Sequence, residues 1–469
     1  MALAWNISAS EHGAVATVHP IATDAAVAVM KSGGNAVDGA VAAALTLGVV
    51  NGYNSGIGGG CFFLVRTERG VVLALDGREM APAAATRDMF IRNGKADAGL
   101  SQTGALAIGV PGSLAVYEYA VRNFGKKKLS ELLLSAAKIA EEGFAIDADY
   151  ARRIAATAQD LKRFPETRSL FFSAGKPLQK GHVLKQPDLA ATYRAIAKDG
   201  IDWFYKGPFA RKIEAWMKQN GGIIQASDFA NYDMILREPL RTRYHEYEVI
   251  GFPPPSSGGV HVAQILNILE NFELQKYPAN SADSIHLITE AMKLAFADRA
   301  YWLGDPDFAR VPRGLISKAY ARELAEKINW GHALSVTNHG QPDEFSTGFF
   351  GKHTTHFSTA DGEGNWVACT ATVNTSFGSK VIIPGTGVII NNQMDDFSAQ
   401  PGVPNFFGLV GAESNAVAPG KRPLSSMSPT IVQIHGRPIL SLGAAGGPTI
   451  ISQTLINLID ILDYKMNIH

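Results

Sequence analysis

The strongest constraint on the fold lies between residues 354 and 373. Two segments there, 354–360 and 366–373, alternate between polar and apolar side chains, and the turn-forming sequence DGEGN separates them. This pattern predicts a β-hairpin. The preceding residues 329–350 are polar and lack periodicity, which predicts an exposed linker that leads into the hairpin.

Thr354 begins this hairpin and would become a nucleophile if the chain were cut directly before it. A threonine hydroxyl reacts poorly unless a base lies beside it. Breaking the bond after His353 would create an α-amine on Thr354, with a reference pKa of roughly 7.7–8.0, which can accept the hydroxyl proton near neutral pH. The alternative is an ordinary strand residue, because the sequence TTHFS is also typical of a β-strand.

The rest of the chain shows helix and strand patterns in turn. Gly33, Gly34 and Asn35 form a helix stop between two apolar segments. The predicted strand at 71–75 runs into Asp76 and Gly77, which puts Arg78 at a strand end, a position at which side chains meet clefts. We predict two helices between residues 23 and 50, strands at 62–66, 71–75, 387–391, 430–434 and 439–442, and a final helix at 449–463.

The composition is that of a globular protein with a large core, because 46% of the residues are hydrophobic and 18% are charged. Basic and acidic residues both number 43, so the formal net charge is zero and a nucleic-acid partner is not indicated. The longest apolar run, 39–50, is shorter than the roughly 20 residues that cross a bilayer. Cys61 and Cys369 form no disulfide framework, and we predict buried free thiols.

Several motifs, taken together, resemble the γ-glutamyltranspeptidase family of N-terminal-nucleophile hydrolases. The resemblance extends from about residue 12 to residue 468, with the family's order and spacing. It implies an α+β fold, specifically a four-layer αββα sandwich, and self-cleavage into a large region 1–353 and a small region 354–469 that form one intertwined unit. The motifs are DGREMAP at 76–82, KHTTHFS at 352–358, TVNT at 372–375, NNQMDDFS at 391–398, KRPLSSMSP at 421–429 and GAAGG at 443–447.

The resemblance assigns the catalytic roles to four residues. Thr354 would cut the bond after His353 and then attack the γ-carbonyl of a glutamyl compound such as glutathione, giving a covalent γ-glutamyl-enzyme. Thr372 matches the threonine that hydrogen-bonds this nucleophile. Gly446 and Gly447 would direct backbone amides at the oxyanion. Taken without the resemblance, Thr372 is an ordinary strand residue and the two glycines are a helix-entry turn.

The same resemblance assigns substrate binding to charged and neutral groups. Arg78 would bind the α-carboxylate of the glutamyl head group through its planar fork, and Asp396 would bind the α-ammonium. Water, an amino acid or a dipeptide would accept the glutamyl group. No cofactor and no metal is expected, since no histidine at ligand spacing accompanies Asp395 and Asp396. The neutral hydrogen-bonding positions are Asn374, Gln393, Ser425 and Ser426.

Two departures from the family pattern affect these expectations. Phe407 stands where a gating tyrosine is common in the lid, so the hydroxyl that would latch the lid to Asn374 is missing. Family members usually continue beyond His469 with more strand and helix, and a chain truncated there would be expected to lack part of the sheet and to mature poorly.

The compartment and the alternative functions remain open at this point. No basic-then-apolar leader precedes Ser10, which leaves the cytoplasm or an exported mature chain, and the resemblance favours a periplasmic or secreted location. The alternative functions on the same scaffold are an acylase for glutaryl-type β-lactam side chains and an enzyme that processes poly-γ-glutamate. A non-enzymatic binding protein is the third.

Overall fold

The computed structural model describes residues 7–10, 13–343, 355–403, 410–447 and 449–468 and shows a mixed α+β fold. The helices are α1 Pro20–Lys31, α2 Ala36–Val50, α3 Ala98–Gln102, α4 Ser113–Phe124, α5 Leu129–Glu142, α6 Ala148–Ala156, α7 Ala158–Leu161, α8 Pro165–Phe171, α9 Pro187–Asp199, α10 Asp202–Tyr205, α11 Pro208–Asn220, α12 Ala226–Ala230, α13 Gly258–Leu269, α14 Ala282–Trp302, α15 Lys318–Ala325 and α16 Thr449–Leu462. The strands are β1 Ile7–Ser10, β2 Gly13–Ala16, β3 Gly60–Arg66, β4 Val72–Gly77, β5 Ile91–Arg92, β6 Lys95–Ala96, β7 Phe144–Ala145, β8 Phe172–Ser173, β9 Lys176–Pro177, β10 Val183–Leu184, β11 Ile235–Arg237, β12 Leu240–Tyr244, β13 Tyr247–Gly251, β14 Thr355–Asp361, β15 Trp366–Thr372, β16 Thr430–Ile434 and β17 Arg437–Leu442.

The predicted hairpin lies in the middle of a seven-stranded sheet with the order β1-β2-β14-β15-β3-β4-β11. Every pairing in this sheet is antiparallel, and Thr355 pairs with Ala371 at the open end of the hairpin. Strands that precede the hairpin in sequence therefore flank it on both sides. The hairpin prediction is confirmed from Thr355 onward, and Thr354 lies outside the described residues.

A second sheet contains four antiparallel strands in the order β12-β13-β16-β17. Here too, strands from the two parts of the chain pair with each other, because β13 precedes the hairpin and β16 follows it. Each sheet thus contains strands from both sides of residue 354.

Three clusters of buried apolar side chains hold these elements together. The first joins α2, α5 and α9 to one face of the hairpin, including Cys369 and Ala371. The second joins α13, α14 and α16 to the four-stranded sheet. The third contains side chains of both sheets, and in it the rings of Phe62 and Phe252 stack with their centroids 4.2 Å apart.

The predicted helices and strands are present, except for one strand. The helix stop is confirmed, because α1 ends at Lys31 and Asn35 caps α2 through a reciprocal capping box with Asp38. The strand predicted at 387–391 is wrong: Ile389 makes an isolated bridge to Ile382. A β-branched apolar run resembled a strand there, but Gly387 has φ 65°, a left-handed conformation that a regular strand does not contain.

The linker and cysteine predictions also agree with the described residues. Residues 329–343 contain no helix or strand and are mostly exposed, whereas 344–350 lie outside the description. Cys61 and Cys369 are buried free thiols. Among the described helices, none has both the length and the apolar character that a bilayer crossing requires.

The stacked Phe62–Phe252 pair provides a test of the packing between the sheets. Both rings are fully buried, so Phe252→Ala should lower the free energy of unfolding by about 3–5 kcal/mol. The shift of the denaturant midpoint measures this loss. Val71→Ala is the control because Val71 is 51% exposed, and it should change the stability by less than about 0.5 kcal/mol. Equal effects of the two substitutions would contradict the packing described here.

Candidate active site

The ends of β15, β3 and β4 meet at one edge of the large sheet. Thr372, the last residue of β15, pairs with Gly60, the first residue of β3. A side chain on the preceding residue, Gly59, would overlap the Thr372 carbonyl oxygen, so only glycine permits this approach. Arg78 directly follows β4, as the sequence predicts.

Thr372 is fully buried, next to the end at which the described part of β14 begins. Its hydroxyl oxygen accepts a hydrogen bond from the backbone N–H of Asn374 (2.7 Å). Asn374 has φ 77°, and its side-chain amide donates to the Asn392 carbonyl (3.0 Å). The Asn374 Oδ1 atom has no hydrogen-bond partner among the described residues. Thr372 and Asn374 therefore form one turn, and the Asn374 Oδ1 atom in it is a buried acceptor without a donor among the described residues.

Arg78 is buried and surrounded by acceptors. Its Nη2 donates to Asp396 Oδ2 (2.5 Å) and to the Leu424 carbonyl (3.2 Å), and its Nε donates to the Pro423 carbonyl (3.0 Å). Its Nη1 lies 3.4 Å from Glu79 Oε2. The guanidinium thus connects the end of β4 to two later parts of the chain, the turn at Gln393–Asp396 and the loop before β16.

Asp396 and Gln393 lie in that turn, and the Gln393 side-chain amide donates to Asp396 Oδ2 (3.0 Å). We expected Arg78 to bind the α-carboxylate and Asp396 the α-ammonium of a glutamyl head group, and the structure brings the two side chains into direct contact with each other. Both remain candidates for the head group, because a zwitterion carries one charge for each partner. Their roles stay predictions.

Glu79 is a site residue that the sequence analysis did not single out, although it belongs to the motif at 76–82. Its carboxyl group is fully buried, and Oε1 has no hydrogen-bond partner among the described residues. Burial raises the pKa of Glu79 to about 8, against the opposing effect of Arg78. Arg78 lies closer to Asp396 than to Glu79, so its charge lowers the pKa of Glu79 less than burial raises it. Glu79 is therefore mainly protonated at neutral pH.

Ser425 and Ser426 are buried in the loop that Arg78 contacts. The Ser257 hydroxyl and backbone N–H both donate to the Ser425 carbonyl (2.8 and 3.1 Å), and the Ser257 Oγ atom lies 3.3 Å from Ser426 Oγ. Ser257 comes from the proline-rich loop that precedes α13 and was not predicted as a site residue. The sequence did not reveal Ser257 because its place in the site depends on its tertiary contact with Ser425.

Gly446 and Gly447 lie in the turn between β17 and α16, as predicted. Their φ angles are 127° and 66°, values that favour glycine. The Thr449 hydroxyl donates to the Gly446 carbonyl (2.8 Å). Whether the two amides point at an oxyanion stays a prediction, because Thr354 lies outside the described residues.

His356 lies next to this turn, and the sequence analysis gave it no role. A side chain at Gly443 would overlap the His356 ring, so the turn begins against it. His356 Nδ1 lies 2.9 Å from Thr370 Oγ1, and Nε2 lies 3.0 Å from Ser358 Oγ. Burial lowers the pKa of His356 to about 3, so the ring is neutral and holds the hairpin through hydrogen bonds.

The structure therefore brings most of the predicted site residues into one connected group. Contacts lead from Thr372 through Asn374 to the turn of Gln393 and Asp396. From this turn they continue to Arg78 and to the loop that contains Ser425 and Ser426, here called the serine loop. Phe407, the predicted lid residue, lies outside the described residues, as does Thr354. Within the described ranges there is no group of three or more histidine, cysteine or acidic side chains that could hold a metal ion.

Comparisons with known proteins identify the family of this chain. The family described as Gamma-glutamyltranspeptidase matches residues 22–469. The chain is 43% identical over 469 residues to the glutathione hydrolase proenzyme of Escherichia coli (strain K12), covering 98% of this chain and 79% of that protein. It is 38% identical over 469 residues to the Acylase ACY 1 proenzyme of Pseudomonas sp. (strain SE83), covering 98% and 81%. The chain belongs to the γ-glutamyltranspeptidase family, which confirms the resemblance.

Two solved structures extend the comparison to the fold. A cephalosporin acylase from Bacillus halodurans matches with a TM-score of 0.87 and 29% identity, covering 98% of this chain and 82% of that chain. The γ-glutamyltranspeptidase of Helicobacter pylori matches with a TM-score of 0.65 and 38% identity, covering 73% and 93%. The mixed α+β fold is thus shared with enzymes of both descriptions.

Glu79 provides a test of the electrostatics of the site. Since its pKa is raised from the ordinary value to about 8, its protonated form stabilises the fold at low pH, and this contribution is lost as the pH rises through 8. Glu79→Gln keeps the neutral form, so its denaturant midpoint should fall less than that of the wild type between pH 6 and 9.

The matched control is Glu141→Gln. Glu141 is exposed and pairs with Arg194 at the surface, so its replacement should leave the pH profile of stability unchanged. A Glu79→Gln profile that runs parallel to the wild-type profile would show that Glu79 is already ionised at neutral pH.

Proposed function

We propose that this chain is a γ-glutamyl transferase and hydrolase that acts on glutathione and related γ-glutamyl amides. The observation that carries the proposal is the buried pair of Arg78 and Asp396, which offers one cation and one anion at the same end of the large sheet as Thr372. An α-amino acid head group presents the complementary charges. The glutathione hydrolase proenzymes among its relatives support the same substrate class.

The reaction would proceed in two transfers. The Thr354 hydroxyl attacks the γ-carbonyl while the α-amine of Thr354 takes its proton, and the amine of the leaving group departs with a proton. Backbone amides at Gly446 and Gly447 would stabilise the oxyanion. Water or an acceptor amine then attacks the γ-glutamyl ester and restores the threonine. Thr372 would orient the nucleophile, and Arg78 and Asp396 would hold the head group.

The enzyme would first mature by cutting itself. The Thr354 hydroxyl attacks the His353 carbonyl, the amide becomes an ester, and water hydrolyses the ester to leave regions 1–353 and 354–469. The description of the relatives as proenzymes supports this step. The two sheets support it as well, because both contain strands from each region and would keep the regions together.

We also propose that the layers are those of an αββα sandwich. The three apolar clusters support this arrangement, because helices pack on each sheet separately and a third cluster contains side chains from both sheets. Phe407 stays the proposed lid residue. A periplasmic or secreted location stays a proposal based on the family.

An acylase is the second candidate function. The cephalosporin acylase of Bacillus halodurans has the same fold over 98% of this chain, and an acylase proenzyme is 38% identical. A glutaryl chain keeps the carboxylate of the head group but lacks the amine. Asp396 would then have no ammonium to bind, which favours the γ-glutamyl substrate.

The first test is self-cleavage. Purified protein should yield two fragments with Thr354 at the new N-terminus, whereas Thr354→Ala should stay whole because it has no hydroxyl to attack His353. Gel electrophoresis and N-terminal sequencing measure this. Thr355→Ala is the matched control, because the Thr355 hydroxyl has no partner among the described residues, and it should cleave. Cleavage of Thr354→Ala at the same bond without added protease would refute the mechanism.

The second test concerns the head group. Arg78→Lys keeps the charge but loses the planar fork, so it should lower kcat/KM for a γ-glutamyl anilide by about tenfold or more and leave self-cleavage intact. Asp396→Asn should lower turnover of the γ-glutamyl anilide more than that of a glutaryl anilide, because only the first carries an ammonium. Unchanged kinetics in Arg78→Lys would remove Arg78 from the substrate site.

A further inference from the structure

Arg299 is a buried cation for which the proposed mechanism has no use. It lies near the end of α14, and the residue is only 3% exposed. Its Nε donates to Ser257 Oγ (3.3 Å), and this is the single hydrogen bond that its guanidinium makes to the described residues. No carboxylate in the described part of the chain lies within 4.0 Å of it, unlike Arg78, Arg237 and Arg422. Most of its N–H donors therefore have no acceptor among the described residues.

A buried charge without a partner is unfavourable, so an anion is expected near it. Burial lowers the pKa of Arg299 to about 10, and the charge of Asp396 partly opposes this effect. Asp396 is close enough to interact electrostatically, yet its nearer partner is Arg78. Arg299 is thus close to the candidate site, and none of the described residues makes a neutralising contact with its charge.

The contact with Ser257 connects Arg299 to the serine loop. Ser257 donates to the Ser425 carbonyl and lies against the Ser426 hydroxyl. Arg299, Ser257 and the serine pair therefore form a short polar chain from α14 to the loop that also receives Arg78. Arg78 and Arg299 both approach this loop. Within the described ranges, the acidic groups in close contact with either arginine are Asp396 and Glu79, and Glu79 is mainly protonated.

We propose that Arg299 is a second cation of the carboxylate subsite, where it binds the α-carboxylate of the glutamyl head group together with Arg78 and holds Ser257 against Ser425 and Ser426. The inference rests on the proposed function and names a residue for it. With Asp396 committed to the ammonium, two cations would face one carboxylate. The subsite would then be selective for a substrate that carries this anion.

Two other roles are possible for the same contacts, and they predict different kinetics. Arg299 could be a structural tie between α14 and the loop of Ser257, in which case its loss would lower stability without changing the affinity for substrate. It could also act through Asp396, in which case only substrates with an ammonium would respond.

The test uses the self-cleaved enzyme with two substrates, a γ-glutamyl anilide and a glutaryl anilide. Both carry the carboxylate, but only the first carries the ammonium. Arg299→Gln should raise KM for both by about tenfold or more, with kcat changed less than about threefold, because the lost interaction serves binding. Arg299→Lys should recover part of the affinity. Ser257→Ala, which removes the acceptor of Nε, should raise KM by a smaller factor.

Arg66→Gln is the matched control, since Arg66 is also buried and donates to the carbonyls of Gly364 and Gly436 at the far end of β3. It should leave KM unchanged.

An unchanged KM in Arg299→Gln, or an increase for the γ-glutamyl substrate alone, would overturn the proposal. If Arg299→Gln does not fold, the KM values of Arg299→Lys and Ser257→Ala decide it. Should the wild type cleave itself but turn over the glutaryl anilide alone, the proposed function fails while Arg299 is still tested.

Discussion

The position of the β14–β15 hairpin in the centre of the large sheet is the constraint on which the rest of the structure depends. The hairpin pairs with β2 on one side and with β3 on the other. Because β13 also pairs with β16, the second sheet is joined across the same point in sequence. A chain cut before Thr354 would keep all of these backbone hydrogen bonds. Such a cut would therefore expose a new terminus without separating the two parts.

The same arrangement explains why the site lies at one edge of the large sheet. The open end of the hairpin presents Thr372, and the neighbouring strand β4 ends at Gly77, directly before Arg78. Backbone register therefore fixes how far these two residues lie from each other. The Gln393–Asp396 turn contacts Arg78 through the Asp396 carboxylate, and the serine loop contacts it through backbone carbonyl groups. The strands of the sheet therefore position Thr372 and Arg78, whereas polar contacts position the Gln393–Asp396 turn and the serine loop.

The sequence predicted the elements that depend on local patterns and missed those that depend on tertiary contacts. The hairpin, the helix stop at Asn35 and the position of Arg78 follow from alternation, capping and strand length. The strand predicted at 387–391 was wrong because apolar periodicity does not reveal a left-handed glycine. Arg299 lies in an ordinary helix far from any motif, and only the fold brings it to Ser257. Such residues cannot be found from one sequence without knowledge of which helix packs on which loop.

Electrostatics then distinguish the groups that the fold gathers. Four ionisable side chains, Arg78, Glu79, Arg299 and Asp396, are buried. Arg78 contacts Glu79 and Asp396, and Arg299 lies close enough to Asp396 for their charges to interact. The cost of burial is reduced because Arg78 pairs with Asp396 and because Glu79 is mainly protonated at neutral pH. This leaves one positive charge, on Arg299, that nothing in the described part of the chain neutralises. A zwitterionic head group adds no net charge, but its carboxylate would lie close to the Arg299 guanidinium. Substrate binding would therefore neutralise a buried positive charge that the described part of the folded chain does not.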